Sequence, residues 1–453
     1  MKKRTVIIIT AMIILTCLSF NTVNATTLTK SLSDYFQSYT VTNKDKKLQV
    51  NSIKNEDKVY FSLEDIGKIF NSNFTIKNDT IEIENEKIVE EVNIKDNFML
   101  HGFYALGSYT QFDELYRGKT LSSFDSLSFG WSRIDQVNNS VELVFDGIDY
   151  KVPTCYDITL EKATDNNISK QLMVFADDSK KDYFKIIFNN KDKIINQIVS
   201  VVNNKNTKYS KLAFDGVTID FETVNKEDQD EFVIFLKKLK QELGKDKNLY
   251  VALPSIKYYN YYKHKEILEI VDYVILMEHD FDTTDKQSNY TYISNNSLSP
   301  INIIKEDIEV LLKKVGNIYK DKILLQISFD SSQWIGHKES SFNRVLKSPS
   351  YNLIYDRICK ELTNNDNNDS GKDILHYHNI YENPYVTYIN DKNELNFIWY
   401  ENYNSVYSKI KLVNDYDLAG VSLWRIGTIP NYYGKYGSKA GLDIWVKLNE
   451  LLN

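Results

Sequence analysis

The chain has 453 residues, 42% apolar and 26% charged, an ordinary globular composition with room for one large domain and a small one. A net charge of −7 and a pI near 5.6, without any concentrated stripe of lysine and arginine, argue against a nucleic-acid partner and leave neutral or cationic polymers. Three cysteines are too few for a disulfide scaffold, and no pair has zinc-ligand spacing.

Lys2, Lys3 and Arg4, the apolar run from Val6 to Phe20 and the small-residue site Val23-Asn24-Ala25 read as a secretory signal over residues 1–25. The run is shorter than the ~20 residues of a spanning helix and no later segment qualifies. The expectation is a protein secreted or held in a bacterial envelope, with no transmembrane segment after signal cleavage. Cys17 follows Leu15-Thr16, which lacks the small residue a lipid-attachment cysteine wants before it. Cys155 and Cys359 remain, and one disulfide between them stays open.

Residues 26–94 read as a small α+β domain. KVYF alternates as a strand, Ser62 can cap a helix carrying Ile66, Ile69 and Phe70, and Asn78-Asp79 marks a turn before Ile81 and Ile83 alternate again. This segment resembles the copper amine oxidase N-terminal-like stalk modules of bacterial envelope proteins. The resemblance implies attachment to the cell wall rather than copper chemistry.

Residues 95–453 change to short apolar runs separated by longer amphipathic stretches, as expected of strands and crossover helices in a parallel sheet. Eight strands are predicted: HGFYALGSY, SLSFGWSRI, KQLMVFADD, KLAFDGVTIDFE, NLYVALPSI, VDYVILMEHDF, KILLQISFD and LAGVSLWRI. Near-continuous apolar character fits strands buried on both faces, and eight of them predict an α/β fold, the (β/α)8 TIM barrel. A doubly wound open sheet is the alternative, weakened because no glycine-rich phosphate loop follows the first strand. PYVTYINDKNELNFIWYEN, with a turn at Asn390-Asp391, reads as a hairpin within a short α+β insertion before strand eight, at the rim where substrate walls are built.

The chemistry concentrates in FDGVTIDFE. Thr218, Asp220 and Glu222 recur every second residue, so an extended chain points all three to one face, the interior on a barrel strand. Two carboxylates at a buried strand end cost several kcal/mol if charged and are rarely kept there for stability. Close together, they force their proton affinities apart, so that one stays an acid near neutral pH, as protonation of a glycosidic oxygen requires.

FDGVTIDFE resembles the DGxDxDxE signature of glycoside hydrolase family 18, which comprises chitinases and endo-β-N-acetylglucosaminidases. MEHD, Met277 to Asp280, matches its sixth-strand motif MxYD, and SLWRIG, Ser422 to Gly427, matches its eighth strand. The resemblance implies a retaining mechanism in which the substrate's own 2-acetamido oxygen attacks the anomeric carbon, with no metal and no cofactor. By position Glu222 donates the proton and then activates water, and Asp220 orients the acetamido N–H. His279 and Asp280 contact the acetamido group from the other side, Met277 opens their motif, Trp424 floors the pocket, and Tyr104 is a further contact.

Three positions depart from the pattern. Thr218 replaces an aspartate, so its hydroxyl can hydrogen-bond Asp220 but cannot lend it negative charge. His279 replaces tyrosine and brings a group that titrates near physiological pH. Asp330 and Ser332 stand where many chitinases have Tyr and Arg. The substrates implied are acetamido-sugar polysaccharides: peptidoglycan first, chitin-like oligosaccharides second, host glycans third. A carbohydrate-binding envelope protein with weak or no turnover is the rival. The run His376-Tyr377-His378 is read as a strand or loop rather than a metal site, and the tyrosines of Tyr258-Tyr259-Asn260-Tyr261-Tyr262 are left unassigned.

Overall fold

The computed structural model describes the backbone of five strands between Phe36 and Glu84, and residues 94–452 apart from 107–108, 139, 148, 179, 181, 206–211, 282–296, 338–340, 347–348, 365–373 and 433–434. The chain divides into two compact units, residues 1–92 and 93–453. In the first, β1 (Phe36–Asn43), β2 (Lys46–Asn55) and β3 (Lys58–Phe61) pair as an antiparallel meander, and β4 (Asn73–Lys77) pairs with β5 (Thr80–Glu84) as a hairpin. The predicted signal over residues 1–25 and the predicted helix after Ser62 lie outside the described residues.

The second unit is a closed barrel of parallel strands. In order around it run β6 (Met99–Ala105), β7 (Ser126–Val137), β9 (Ser169–Ala176), β10 (Gly216–Phe221), β11 (Asn248–Pro254), β12 (Tyr273–Met277), β13 (Ile323–Ser328) and β19 (Gly420–Trp424). Pairing of β19 with β6 and of β6 with β7 closes the ring. These are the eight strands expected from the sequence. β8 (Ser140–Val144) extends β7 as an antiparallel edge.

Parity decides what each strand offers. On β10, Val217, Ile219 and Phe221 face the helix layer and are fully buried, while Gly216, Thr218 and Asp220 face the interior. Phe221 packs at 5.4 Å and 6.0 Å on Phe235 and Phe232 of helix α1 (Gln229–Leu243). That helix forms because Phe232, Phe235, Leu236, Leu239 and Leu243 repeat at i, i+3, i+4 and i+7, with Asp230 and Glu231 in its first turn and Lys240 in its last. Each such side chain, fully buried, contributes about 1.5–3 kcal/mol. Gly216 admits no side chain, since a Cβ would lie 2.1 Å from Gln171 Oε1 and 2.3 Å from the carbonyl oxygen of Asn248.

At the N-terminal end of the barrel one device recurs. Asp125, Asp215 and Asp272 each stand just before a strand and accept a hydrogen bond from a backbone N–H of the neighbouring strand: Leu100 at 2.7 Å, Lys170 at 2.9 Å and Leu249 at 2.7 Å. Asp215, the first letter of the DG pair, is thus a fastening of the barrel floor.

The insertion before β19 is larger than the expected hairpin. β14 (Ser332–His337), β15 (Ser341–Leu346), β16 (Ile374–His378), β17 (Asn383–Ile389) and β18 (Leu395–Trp399) form an antiparallel sheet in the order β15-β14-β18-β17-β16, and helix α2 (Tyr351–Asn364) joins β15 to β16. The predicted hairpin is its β17–β18 pair, closing at Ile389 and Leu395. A buried ion pair pins the insertion down. Lys409 of helix α3 (Tyr403–Asp415) donates to both oxygens of Glu401 at 2.9 Å, and Glu401 also accepts from Ser299 and from Asn383 of β17.

Candidate active site

β10 delivers Asp220 and Glu222 to the C-terminal mouth of the barrel, where active sites of this architecture form. The Glu222 N–H bonds the carbonyl of Ala176 at 2.9 Å, extending the ladder to β9. Thr223 then turns sharply, with φ +62°, an uncommon conformation for a β-branched residue. The Tyr262 hydroxyl accepts from the Val224 N–H at 2.9 Å, and the Tyr261 hydroxyl donates to the Val224 carbonyl at 3.3 Å. The unassigned tyrosine run thus braces the turn that aims Glu222.

Asp220 is buried between Phe175 and Ala252 in register, and its Oδ1 finds no hydrogen-bond partner among the described residues. Burial first, and then the charge of Glu222, hold its carboxyl well above the usual carboxylate range, with His279 opposing. The carboxyl so raised is Asp220, and its larger cause is desolvation rather than the neighbouring carboxylate.

His279 and Asp280 follow β12. Nδ1–H of His279 donates to Asp280 Oδ2 at 3.2 Å and Nε2–H donates to Gln326 Oε1 of β13 at 2.6 Å. Two acceptors on two ring nitrogens suit the imidazolium. Burial alone would push His279 down, but Asp280, then Gln326 and the charge of Asp330, raise its pKa overall. Asp280 itself adopts φ +58°. Met277 faces the interior with Ile275 and packs on the apolar lining.

Trp424 ends β19 and meets Phe103 at 5.2 Å, edge to face; the Trp424–Arg425 peptide bond is cis. Arg425 crosses the seam to donate to the Ala105 carbonyl at 3.0 Å, and burial lowers its pKa while Asp330 opposes. Tyr150, from the loop after β8, packs on Phe175 at 4.6 Å. Its phenol is raised by burial and then by Asp220 and Glu222, which places it at the mouth.

Two expected contacts are corrected. Tyr104 faces outward into the helix layer, 1% exposed, against Phe112 and Trp131, so it does not reach a sugar. Phe103, one residue earlier, is the β6 side chain beside Trp424. Thr218 is fully buried beneath Asp220, and its hydroxyl lies 2.6 Å from Ser128 Oγ rather than on the carboxylate. Asp330 stands half-buried beside His279 and Arg425, and Ser332 starts the insertion sheet. Cys155 and Cys359 are not joined by a disulfide. His376 and His378 lie on β16, stacked on Tyr385 and Tyr381 at 4.6 Å and 4.1 Å.

Comparison with known proteins places this geometry. The chain is similar to the cortical fragment-lytic enzyme of Bacillus anthracis, 24% identical over 227 residues covering 47% of this chain and 46% of that protein. The Bacillus subtilis enzyme of the same name is 22% identical over 247 residues, 52% of this chain and 50% of that one. The chain therefore spans about half the length of the curated relatives it matches. The crystal structure of the Bacillus cereus spore cortex-lytic enzyme SleL superposes with a TM-score of 0.57 at 17% identity, covering 79% of this chain and 74% of that one, and shares its fold. The model of glycosyl hydrolases family 18 matches residues 35–428, so the chain belongs to that family.

Proposed function

We propose that the protein hydrolyses the β-1,4 bond that follows an N-acetylglucosamine unit, with Glu222 as proton donor and then general base. The observation that carries this is the buried Asp220, two residues below Glu222 on the same face, with an oxygen left without a partner among the described residues. Such a carboxyl is a waiting acceptor for an acetamido N–H, and its raised pKa shows how little its surroundings favour charge before substrate arrives. Binding of the amide orients its carbonyl oxygen towards the anomeric carbon. The acetamido oxygen then forms a bond to that carbon as the glycosidic bond breaks, and the Glu222 proton goes to the leaving oxygen. Water, deprotonated by Glu222, reopens the cyclic intermediate and restores the acetamido group. Trp424, Phe103 and Met277 give the sugar an apolar floor.

Peptidoglycan is the substrate this reading favours, supported by relatives named as cortical fragment-lytic and spore cortex-lytic enzymes. The same reading takes residues 1–25 as an export signal and residues 26–94 as a stalk that holds the enzyme to the wall. The test is mass spectrometry of products from peptidoglycan and from chitin oligosaccharides, with the parent and Glu222→Gln. Fragments ending in reducing N-acetylglucosamine from peptidoglycan, lost in the variant, are expected. Cleavage of chitin oligosaccharides alone makes the protein a chitinase, and rapid cleavage of a fully deacetylated chain removes the substrate-assisted mechanism.

A further inference from the structure

A second pair of carboxyls lies behind the barrel wall, where the hydrolytic chemistry does not reach. Glu278 directly follows β12, is wholly buried, and turns away from the mouth towards the short helix Ile256–Tyr259 and the helix Ile301–Val315. Against it stands Asp307 of the second helix, 6% exposed. One oxygen of Glu278 accepts from the Ile256 N–H at 3.4 Å. The other finds no donor among the described residues, but the Asp307 carboxyl is within hydrogen-bonding reach. Asp307 already holds two donors, the Ser255 hydroxyl at 2.8 Å and the Lys257 N–H at 3.0 Å, which suits it to be the charged member. Two negative charges buried side by side are not both kept. Burial first, and then the charge of Asp307, hold the Glu278 carboxyl well above the usual carboxylate range, so Glu278 is the member that keeps its proton.

The hydrogen bonds that start at this pair end beside the proton donor. Ser255 and Lys257, fastened to Asp307, begin a segment in which the Tyr258 and Tyr259 N–H groups return to the Ser255 carbonyl at 3.3 Å and 3.1 Å, and the Tyr262 N–H to the Tyr259 carbonyl at 3.2 Å. The hydroxyls of Tyr262 and Tyr261 hold both backbone groups of Val224, directly after the Thr223 turn. Tyr259 comes near enough to Glu222 for that carboxylate, after burial and Asp178, to raise its phenol. Lys314, on the same helix as Asp307, donates to the Tyr262 carbonyl at 2.9 Å. The helix thus grips residues 255–262 at both ends, with a lysine at one and the carboxyl pair at the other.

We propose that Glu278 and Asp307 share one proton, and that this proton positions Glu222 by clamping residues 255–262 against the turn at Thr223. With the proton in place, Glu278 donates to the Asp307 carboxylate and the bonding of both groups is complete. When it leaves, two buried charges repel each other and the grip on the segment loosens. Glu278 is a positioning residue and touches no substrate. Its effect on rate rests on the proposed role of Glu222, whereas the shared proton and the clamp are properties of the folded chain. Among the described residues the titratable group facing Glu278 is Asp307. His279, next in the chain, turns to Asp280 and Gln326, and Lys257 places its ammonium over the rings of Tyr258 and Phe281.

The test is NMR of the full chain labelled with 13C at the glutamate carboxyls and 15N along the backbone. At pH 7 the parent is expected to show an uncharged glutamate carboxyl whose signal Glu278→Gln removes and Glu222→Gln leaves in place. If Glu278→Gln removes no uncharged signal, the proposal is overturned, whether or not the protein cleaves any glycan. Protection of the Val224 N–H from hydrogen exchange, corrected for the intrinsic effect of pH, should fall in the parent as that proton leaves. It should hold in Glu278→Gln, whose amide donates to Asp307 without titrating. In kinetics, the ratio of kcat in Glu278→Gln to that of the parent should climb about 10-fold per pH unit above the titration of the pair, the slope of one proton, at unchanged KM. A carboxyl with a merely structural role would leave that ratio flat, and a flat ratio with parental Val224 protection overturns the positioning role. If Glu278→Gln does not fold, Asp307→Asn removes the same repulsion, keeps an acceptor for Ser255 and Lys257, and carries the exchange and kinetic readouts. A Glu222→Gln variant as fast as the parent would sink the hydrolytic role and leave the NMR results standing.

Discussion

The two ends of the barrel use the same side chain in opposite ways. At the N-terminal end Asp125, Asp215 and Asp272 each accept a backbone N–H from the neighbouring strand. At the C-terminal end Asp220, five residues beyond Asp215 on the same segment, is buried with one oxygen unpartnered among the described residues and its pKa well raised. Burial alone does not separate the two uses. Glu401 is as deeply buried as Asp220 but is met by Lys409, Ser299 and Asn383. A carboxyl whose bonding is completed by the protein holds the fold together. One whose bonding is left open is held for something that is not protein.

The contrast can be broken at either end, and the largest effects are expected at the mouth. Glu222→Gln should lower the rate of glycan cleavage about 1,000-fold or more, measured on purified protein, with Tm unchanged. Lys409→Met leaves Glu401 buried and uncompensated, and denaturant unfolding should show a loss of about 3–5 kcal/mol. Asp215→Asn should cost about 1 kcal/mol while leaving kcat untouched, because its bond is to the partly exposed barrel floor.

Asp220→Asn should change the sign of the stability effect. A carboxyl whose folded pKa is raised contributes stability that is present below its ordinary value of 3.8 and lost as pH rises through the folded value. Tm of the parent should therefore fall as pH rises from 4, and the variant should not follow it; a parallel decline would contradict the raised pKa. The smallest effect belongs to His279, whose pKa is also raised, so its contribution is complete below 6.5 and fades as pH climbs through its folded value. His279→Gln should remove that later decline in Tm and flatten the pH profile of activity at the same end.

Much of the fold was legible because all eight barrel strands are near-continuous apolar runs between amphipathic stretches. The same property hid which side chains face inward. In HGFYA both faces are buried, so alternation carries no polarity, and Tyr104 and Phe103 exchange roles on a shift of one residue. Polar motif residues escape that ambiguity, which is why the placing of Asp220 and Glu222 on one face needed only their spacing. The insertion was underestimated because β14, a polar strand, pairs with β18, whose residues lie tens of positions away in the chain. Thr218 was expected to serve Asp220, its neighbour along the strand, and instead meets Ser128, 90 residues distant. Tyr150 sits in a loop, where no periodicity marks a direction.

The seam between β19 and β6 ties function to the order of synthesis. Glu222 emerges early, but Trp424 and the Arg425 bond to Ala105 come some two hundred residues later, from the strand that closes the ring. Until β19 is made, β6 and β13 present open edges and the mouth of the barrel lacks Trp424. A nascent chain on the ribosome thus carries Asp220 and Glu222 before the strand that completes the mouth around them has been made.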